Sequence, residues 1–275
     1  MNLRKEIEAG VAQANFVLRS DVLCLLKKAY SAEKNSKAKK ALGWILDNAA
    51  IAKEEKIAIC QDTGLPVIFI DVGKDVEISS SIVKDIEDAV ACGYMNNYLR
   101  PSIVDPLRRG KSSYHGAISH VHFLANIKGM KITIFPKGFG SENKSRLKMF
   151  NPTAKVEEIE DFIINSVKEA GPASCPPFVI GVGVGGTSDC ALLLAKRALL
   201  GKIDKPNKDK FSNDLEMRLL KKINALGIGP MGFGGRCTAL AVKVKTASTH
   251  IAGLPVGVNI SCHALRSASI DIKNV

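Results

Sequence analysis

Apolar residues recur at helical spacing through Ile7, Val11, Ala14, Leu18, Val22 and Leu25, and again through Ala41, Ile45 and Ala49. Residues 1–54 therefore predict a helical layer. The period then changes. Lys56–Cys60 predicts a short strand, Gln61–Gly64 a turn and Leu65–Val72 a buried strand. Helical spacing returns through Ile82, Ile86, Ala89 and Val90, and β-rich runs follow at 117–124 and 131–135. In the second half, Asn151-Pro152-Thr153 opens a helix to about Ala170 with Thr153 as its cap. A strand at Phe178–Val184, helices at 187–200 and 215–226, and strands at 238–244 and 255–260 complete the pattern. The fold class is α/β in the mixed, α+β sense: a helical N-terminal layer packed on a mixed β-sheet. No internal repeat and no linker compels a boundary, so residues 1–275 read as a single catalytic domain.

Composition narrows the class. Hydrophobic residues make up 46% of the 275, which suffices for a sizeable core, and aromatics only 5%, so Val, Ile, Leu and Ala must build it. No apolar run approaches the ~18 residues of a membrane span. The first residues carry charges where a secretory leader needs its apolar stretch, so the expected location is the cytoplasm. Net charge is +12, which favours acidic partners such as nucleic acid or small polyanions. The positive charge is scattered, and one Trp with four Tyr offers little for stacking on bases. The expectation is therefore no nucleic acid and no membrane.

Seven cysteines occur, Cys24, Cys60, Cys92, Cys175, Cys190, Cys237 and Cys262. An odd number in a chain expected in the cytoplasm argues against a disulfide framework, and no CxxC pair supports a zinc ribbon. Buried thiols, a nucleophile, or ligands from distant segments remain open. Three turns could carry chemistry. Cys60-Gln61-Asp62-Thr63-Gly64 places an amide, a carboxylate and a hydroxyl directly after a cysteine; as an Asx-type turn it needs no function. Gly181–Gly186 matches G-x-G-x-x-G between a strand and a helix, but the acidic residue a dinucleotide site needs has no strand before it at Asp204. Gly227–Gly235 has five glycines in nine residues, with apolar residues between them that argue for a packed loop. His120 and His122 share one strand face, as a metal pair or as ordinary half-buried histidines.

Taken in order, the segments resemble one family. They are Cys-Gln-Asp-Thr-Gly at 60–64, Leu-Arg-Pro-Ser-Ile-Val-Asp-Pro-Leu at 99–107 and Lys-Gly-Phe-Gly-Ser-Glu-Asn-Lys at 137–144. Cys-Pro-Pro at 175–177, Gly-Val-Gly-Val-Gly-Gly-Thr at 181–187 and Leu-Gly-Ile-Gly-Pro at 226–230 follow. Thr-His-Ile-Ala-Gly-Leu-Pro-Val at 249–256 and Cys-His-Ala at 262–264 end the series. The chain is similar to the iron–sulfur hydro-lyases, class I fumarate hydratase and L(+)-tartrate dehydratase, and specifically to the N-terminal region that some members carry as a separate alpha chain.

The resemblance implies that Cys60, Cys175 and Cys262 hold a [4Fe–4S] cluster, one of whose irons lacks a thiolate and can act as a Lewis acid. It further implies that Gln61, Asp62, Arg100, Gly138 and Gly140 bind a small dicarboxylate. Asp62 would be the catalytic proton-transfer group or an orienter, and Arg100 would offer its fork to a carboxylate. Cys24, Cys92, Cys190 and Cys237 then fall to buried or half-buried thiols. Fused members continue beyond the point where this chain stops, which implies a beta subunit that supplies the base, in an α2β2 complex. Loop 227–235 and segment 249–261 are expected near that interface. Departures from the family pattern lie at Gly110–Gly116 and at Phe139. The implied reaction interconverts L-malate with fumarate and water, the alternative is dehydration of L(+)-tartrate, and a dinucleotide-binding oxidoreductase using Gly181–Gly186 is the reading from another class.

Overall fold

A computed structural model describes residues 3–272. Its helices and two mixed sheets agree with the expected class. The chain forms two compact units: one from the residues up to Leu18, Asn48–Phe139 and the residues from Arg266 on, the other from Arg19–Asp47 and Gly140–Leu265.

The helical N-terminal stretch is three helices, α1 (Leu3–Phe16), α2 (Ser20–Ala32) and α3 (Ser36–Glu55). Asp21 starts α2: it accepts the Val22 N–H at 3.0 Å and pairs with Arg19 at 2.6 Å. By length and composition Leu3–Ala32 passes the test for a membrane span. The helix break after Phe16 divides that stretch, and Ile7, Val11, Val22 and Leu26 are fully buried in the fold, as in core helices.

In the first unit, α3 is followed by β1 (Leu65–Gly73), α4 (Ser80–Asn96), β2 (Ile118–Leu124) and β3 (Met130–Lys137). β1 runs parallel to β2 and antiparallel to β3, and β8 (Ala268–Ile272) pairs antiparallel with the far edge of β3. Ile68, Ile70 and Val72 of β1 and Ile132 and Ile134 of β3 pack with Ile7 and Val11 of α1 and Ile86 and Val90 of α4. On the other face of the sheet, Phe69 stacks on His120 at 5.2 Å and His122 at 6.2 Å between ring centroids. The shared face predicted for the two histidines is therefore real, and an aromatic ring fills it. The strand predicted at 56–60 does not form. Its neighbours are helices, which offer no ladder edge: Ile57 N–H turns back onto Ala52 O at 3.1 Å, and Ile59 is tied through its N–H to Asn15 O and its carbonyl to Asn48 Nδ2.

In the second unit the order is a short α5 (Phe139–Glu142, which begins on the last residue of the first unit), β4 (Arg146–Phe150), α6 (Val156–Ala170), β5 (Phe178–Val184), α7 (Ser188–Ala198), α8 (Lys210–Asn224), β6 (Ala239–Thr246) and β7 (Leu254–Ser261). The sheet order is β4-β7-β5-β6, with only the β5–β6 pair parallel. Thr153 is not the cap of α6. It bonds Asn151, and the helix begins after Lys155, whose N–H is held by the Glu158 carboxylate at 2.9 Å. Ile180 and Val182 of β5 pack with Ile163 of α6 and Leu219 of α8.

Gly181 and Gly183 point to the opposite face, and there α7 lies directly on the strand. A Cβ at Gly183 would come within 2.0 Å of Ala191 O, and one at Gly181 within 2.0 Å of Ala195 O. The first two glycines of G-x-G-x-x-G thus lie inside the strand and serve close helix–sheet packing. No phosphate-cradling loop is needed to explain them.

Gly183→Ala must push α7 off β5. We expect thermal or urea unfolding to show a loss of at least about 2–3 kcal/mol, the upper part of the overpacking range. Gly253→Ala, where a Cβ meets nothing within 4 Å, should unfold like the parent.

Candidate active site

The turn Cys60–Gly64 joins the end of α3 to β1 and belongs to no sheet ladder, so its carbonyls need other donors. Side chains supply them. Arg100 Nη1 donates to Gln61 O at 3.3 Å, Arg266 Nη2 to Asp62 O, and the Tyr94 hydroxyl to Thr63 O at 3.0 Å and Gly64 O at 3.4 Å. Tyr94 and Arg266 are each less than 4% exposed. Burial pushes the Tyr94 phenol far above its ordinary range, and the nearby Arg266 charge only partly offsets this, so the hydroxyl keeps its proton and donates.

Asp62 completes the turn. Its Oδ1 accepts the Gly64 N–H at 2.9 Å, the Asx-type bond anticipated for this segment, and its Oδ2 accepts the Phe139 N–H at 2.8 Å. A Cβ at Gly138 would lie 3.3 Å from Asp62 Oδ2, so the absent side chain leaves the carboxylate its place against the end of β3. Both oxygens of Asp62 are thus engaged by backbone, an arrangement suited to orienting the turn. Gln61 is exposed, and among the described residues no hydrogen bond claims its amide.

The backbone also sets Arg100. Helix α4 ends at Asn96, Tyr98 takes the left-handed conformation at φ 55°, and Leu99 drops into the core at 2% exposure. Arg100 N then donates to Thr63 Oγ1 at 3.1 Å. The guanidinium sits exposed beside Gln61, with one long bond to the turn and most of its fork open. The structure thus brings together Cys60, Gln61, Asp62, Arg100 and Gly138 within the first unit. Gly140 lies in the second unit, where its carbonyl accepts the Ser174 hydroxyl at 3.4 Å.

Cys175 and Cys262 are neighbours in the second unit. Cys175 follows a short 3-10 turn in the left-handed region at φ 56°. Its carbonyl accepts the backbone N–H of His263 at 3.2 Å and faces the His263 Nδ1 at 3.0 Å. A carbonyl only accepts, so Nδ1 carries the hydrogen. The glycine loop 227–235 joins them, because Met231 N donates to Pro176 O at 2.9 Å. Glu33 anchors the end of that loop through the Arg236 N–H at 2.8 Å, with Lys34 and Asn35 N–H groups on its other oxygen. Burial opposes the charge on Glu33, yet these N–H bonds hold its carboxyl below the usual carboxylate range. The loop is held through its backbone, not by burial of its apolar residues as the sequence had suggested: Met231 and Phe233 are exposed and Ile228 is half-buried.

The donor chemistry fits an iron–sulfur cluster. Cys60, Cys175 and Cys262 are half-buried, none is in a disulfide, and each lies in irregular backbone rather than inside a helix or strand ladder. Among the described residues no three His, Cys, Asp or Glu side chains form a site for a single metal ion. A cluster makes a different demand, since each thiolate binds its own iron. Cys237, the strongest competitor by position, is unsuited: burial, reinforced by the Glu33 charge, pushes its thiol up to about 12. Cys92 is half-buried and accepts from Arg4 Nη2 at 3.0 Å, whereas Cys24, expected to be at least half-buried, is exposed on α2. Sequence reading missed Tyr94, Arg266 and His263. A tyrosine on the buried face of a helix, and an arginine in the apolar run Ala264-Leu265-Arg266, were signals that each needed a buried partner.

Comparison with known proteins gives the family. The family model described as fumarate hydratase (Fumerase) matches residues 4–271. A protein of Methanocaldococcus jannaschii named putative L(+)-tartrate dehydratase subunit alpha is 41% identical over 268 residues, which cover 95% of this chain and 94% of that protein. The L(+)-tartrate dehydratase subunit alpha of Escherichia coli K12 is 27% identical over 276 residues, 98% of this chain and 91% of that one, and the Shigella boydii protein of the same name matches equally.

The thiols should differ in reactivity. At pH 8 iodoacetamide should label exposed Cys24 readily and leave Cys237 almost unlabelled, since only the thiolate reacts. Peptide mass spectrometry over time gives both rates. Labelling of Cys237 as fast as Cys24 would contradict its burial.

Proposed function

The chain belongs to the fumarate hydratase (Fumerase) family of hydro-lyases, and from that premise we propose that it is the alpha subunit of a [4Fe–4S] enzyme that dehydrates L(+)-tartrate. The malate–fumarate reaction expected from the motifs shares the mechanism and is the second reading, supported by the description of the family model. The printed names of the relatives, at 41% and 27% identity, favour tartrate. The observation that carries the proposal is the clamped turn: a candidate ligand, Cys60, is followed directly by an unclaimed amide at Gln61, with the open fork of Arg100 beside it.

In this reading Cys60, Cys175 and Cys262 hold the cluster. When bound, it supplies an iron without a thiolate, a Lewis acid for the departing hydroxyl. The chain's own residues do the rest of what this subunit contributes. Arg100 binds a substrate carboxylate through its planar fork. The Gln61 amide hydrogen-bonds the substrate's oxygens. Asp62 orients both by holding the turn to Gly64 and Phe139. Gly138 and Gly140 let backbone come close to the substrate. Dehydration removes a proton from one carbon and a hydroxyl from the next, so water leaves and a double bond forms. The proton acceptor is assigned to a beta subunit, which the "subunit alpha" names of the relatives also support. We assign the complex to the cytoplasm, as an α2β2 assembly with loop 227–235 and segment 249–261 near the subunit contact.

The test is anaerobic co-expression with the candidate beta subunit, cluster reconstitution, and assay on L(+)-tartrate, L-malate and fumarate. Tartrate should give the highest kcat/KM. Preference for malate and fumarate would move the assignment to the second reading, and turnover of none would reject both. Arg100→Lys keeps the charge and loses the fork, so kcat/KM should fall about 10- to 100-fold, the scale of a charged hydrogen bond. Unchanged efficiency would remove Arg100 from the site, and full turnover by the alpha chain alone would contradict a base in the partner.

A further inference from the structure

Arg266 lies just past the segment Cys262–Ala264. It is 3% exposed, and its one hydrogen bond among the described residues goes to a neutral carbonyl, Asp62 O. Its Nε is also buried and has no hydrogen-bond partner. The division of labour on the turn makes this bond specific. Arg100 takes Gln61 O, Tyr94 takes Thr63 O and Gly64 O, and Asp62 O depends on Arg266 alone. A neutral amide or hydroxyl could satisfy a carbonyl without the cost of a buried charge. Both oxygens of the Asp62 carboxylate are engaged by the Gly64 and Phe139 N–H groups, and Arg266 bonds the Asp62 carbonyl instead. A buried cation thus rests against the turn that carries Cys60, with no ion pair among the described residues.

We propose that Arg266 is a positioning residue. It locks the Asp62 carbonyl and so fixes the directions of the Cys60 thiol and the Gln61 amide, and its unpaired charge favours negative charge gathered at that turn. The part concerning turnover rests on the function proposed above. The part concerning Cys60 does not. A guanidinium is well suited to the task, because its charge persists at every working pH and its plane fixes a direction as well as a distance. Small misplacement of a group that orients substrate is expensive in rate and nearly silent in binding.

The experiment compares the parent with Arg266→Met and Arg266→Lys in two arms, with circular dichroism and melting temperature recorded for each protein. In the first arm, the full-length chain without iron is treated with iodoacetamide, and labelling of Cys60 and Cys24 is followed by mass spectrometry. Arg266→Met should change the Cys60 rate severalfold and leave the Cys24 rate alone, and Arg266→Lys should restore part of the parent rate. In the second arm, the reconstituted complex is assayed: Arg266→Met should lower kcat about 10- to 100-fold with KM within about twofold and iron content unchanged, and Arg266→Lys should recover part of kcat. Parent-like Cys60 labelling in folded Arg266→Met overturns the proposal. So does a loss of kcat in which Arg266→Lys is no better than Arg266→Met and both follow the melting temperature, because that is the mark of a purely structural role. If Arg266→Met does not fold, Arg266→Lys decides: a parent-like Cys60 rate in a chain that has lost the guanidinium plane overturns the proposal, and an altered rate supports it. If the parent complex turns over no hydroxy-dicarboxylate, the function fails and the labelling arm alone judges Arg266.

Discussion

Buried backbone that lies outside a helix or sheet must still find hydrogen-bond partners, and the turn Cys60–Gly64 is where that constraint shapes this protein. Thr63 and Gly64 are buried, yet they lie outside the β1–β3 ladder, whose end at Pro136–Lys137 packs against Gly64. The partners come from three separate parts of the first unit: Tyr94 from α4, Arg100 from the segment after it, and Arg266 from the approach to β8. Each of these has its own cause. The length of α4 delivers Tyr94 to the buried side, the left-handed Tyr98 and the buried Leu99 deliver Arg100, and β8 pairing with β3 brings the segment that carries Arg266. Because the donors hold the backbone, the Gln61 side chain is left unclaimed. A turn built this way keeps its shape without spending the groups that chemistry would use.

The second unit answers the same constraint differently. Its sheet is covered on one face by α6 and α8, with Ile, Leu and Val interlocked, and on the other by α7 resting on glycines. Close approach of α7 to β5 makes a rigid platform, and the irregular segments with Cys175 and Cys262 leave the strands at its end. There the His263 backbone and ring both engage Cys175 O, and Met231 N engages Pro176 O. Glu33 then pins the glycine loop through a backbone N–H rather than through a side chain.

Much of the fold was legible because burial imposes a period. Ile68, Ile70 and Val72 alternate on β1, and Ile82, Ile86, Ala89 and Val90 repeat on α4, so both elements were readable from spacing. Two of the edge strands, β4 and β8, were not. β4 is largely exposed and β8 only half-buried, so neither carries a strong pattern, and residues 56–60 look like a strand although only helices lie beside them. G-x-G-x-x-G misleads for a physical reason: glycine permits backbone approach to any partner, and here the partner is a helix. At the candidate site, the cysteines and Arg100 were visible through motif order. Tyr94 and Arg266 were invisible because their role is defined by which carbonyl they reach, and that depends on tertiary contacts that no local spacing encodes.

In the proposed site, Cys60, Cys175 and Cys262 hold one cluster whose remaining iron is open to substrate. Mössbauer spectroscopy of the anaerobic alpha–beta complex, reconstituted with iron-57, tests it most directly. The account predicts three irons in sulfur-rich environments and one distinct iron, whose isomer shift and quadrupole splitting alone change when L(+)-tartrate is added. A spectrum in which no iron is distinct, and which the substrate leaves unchanged, would contradict it.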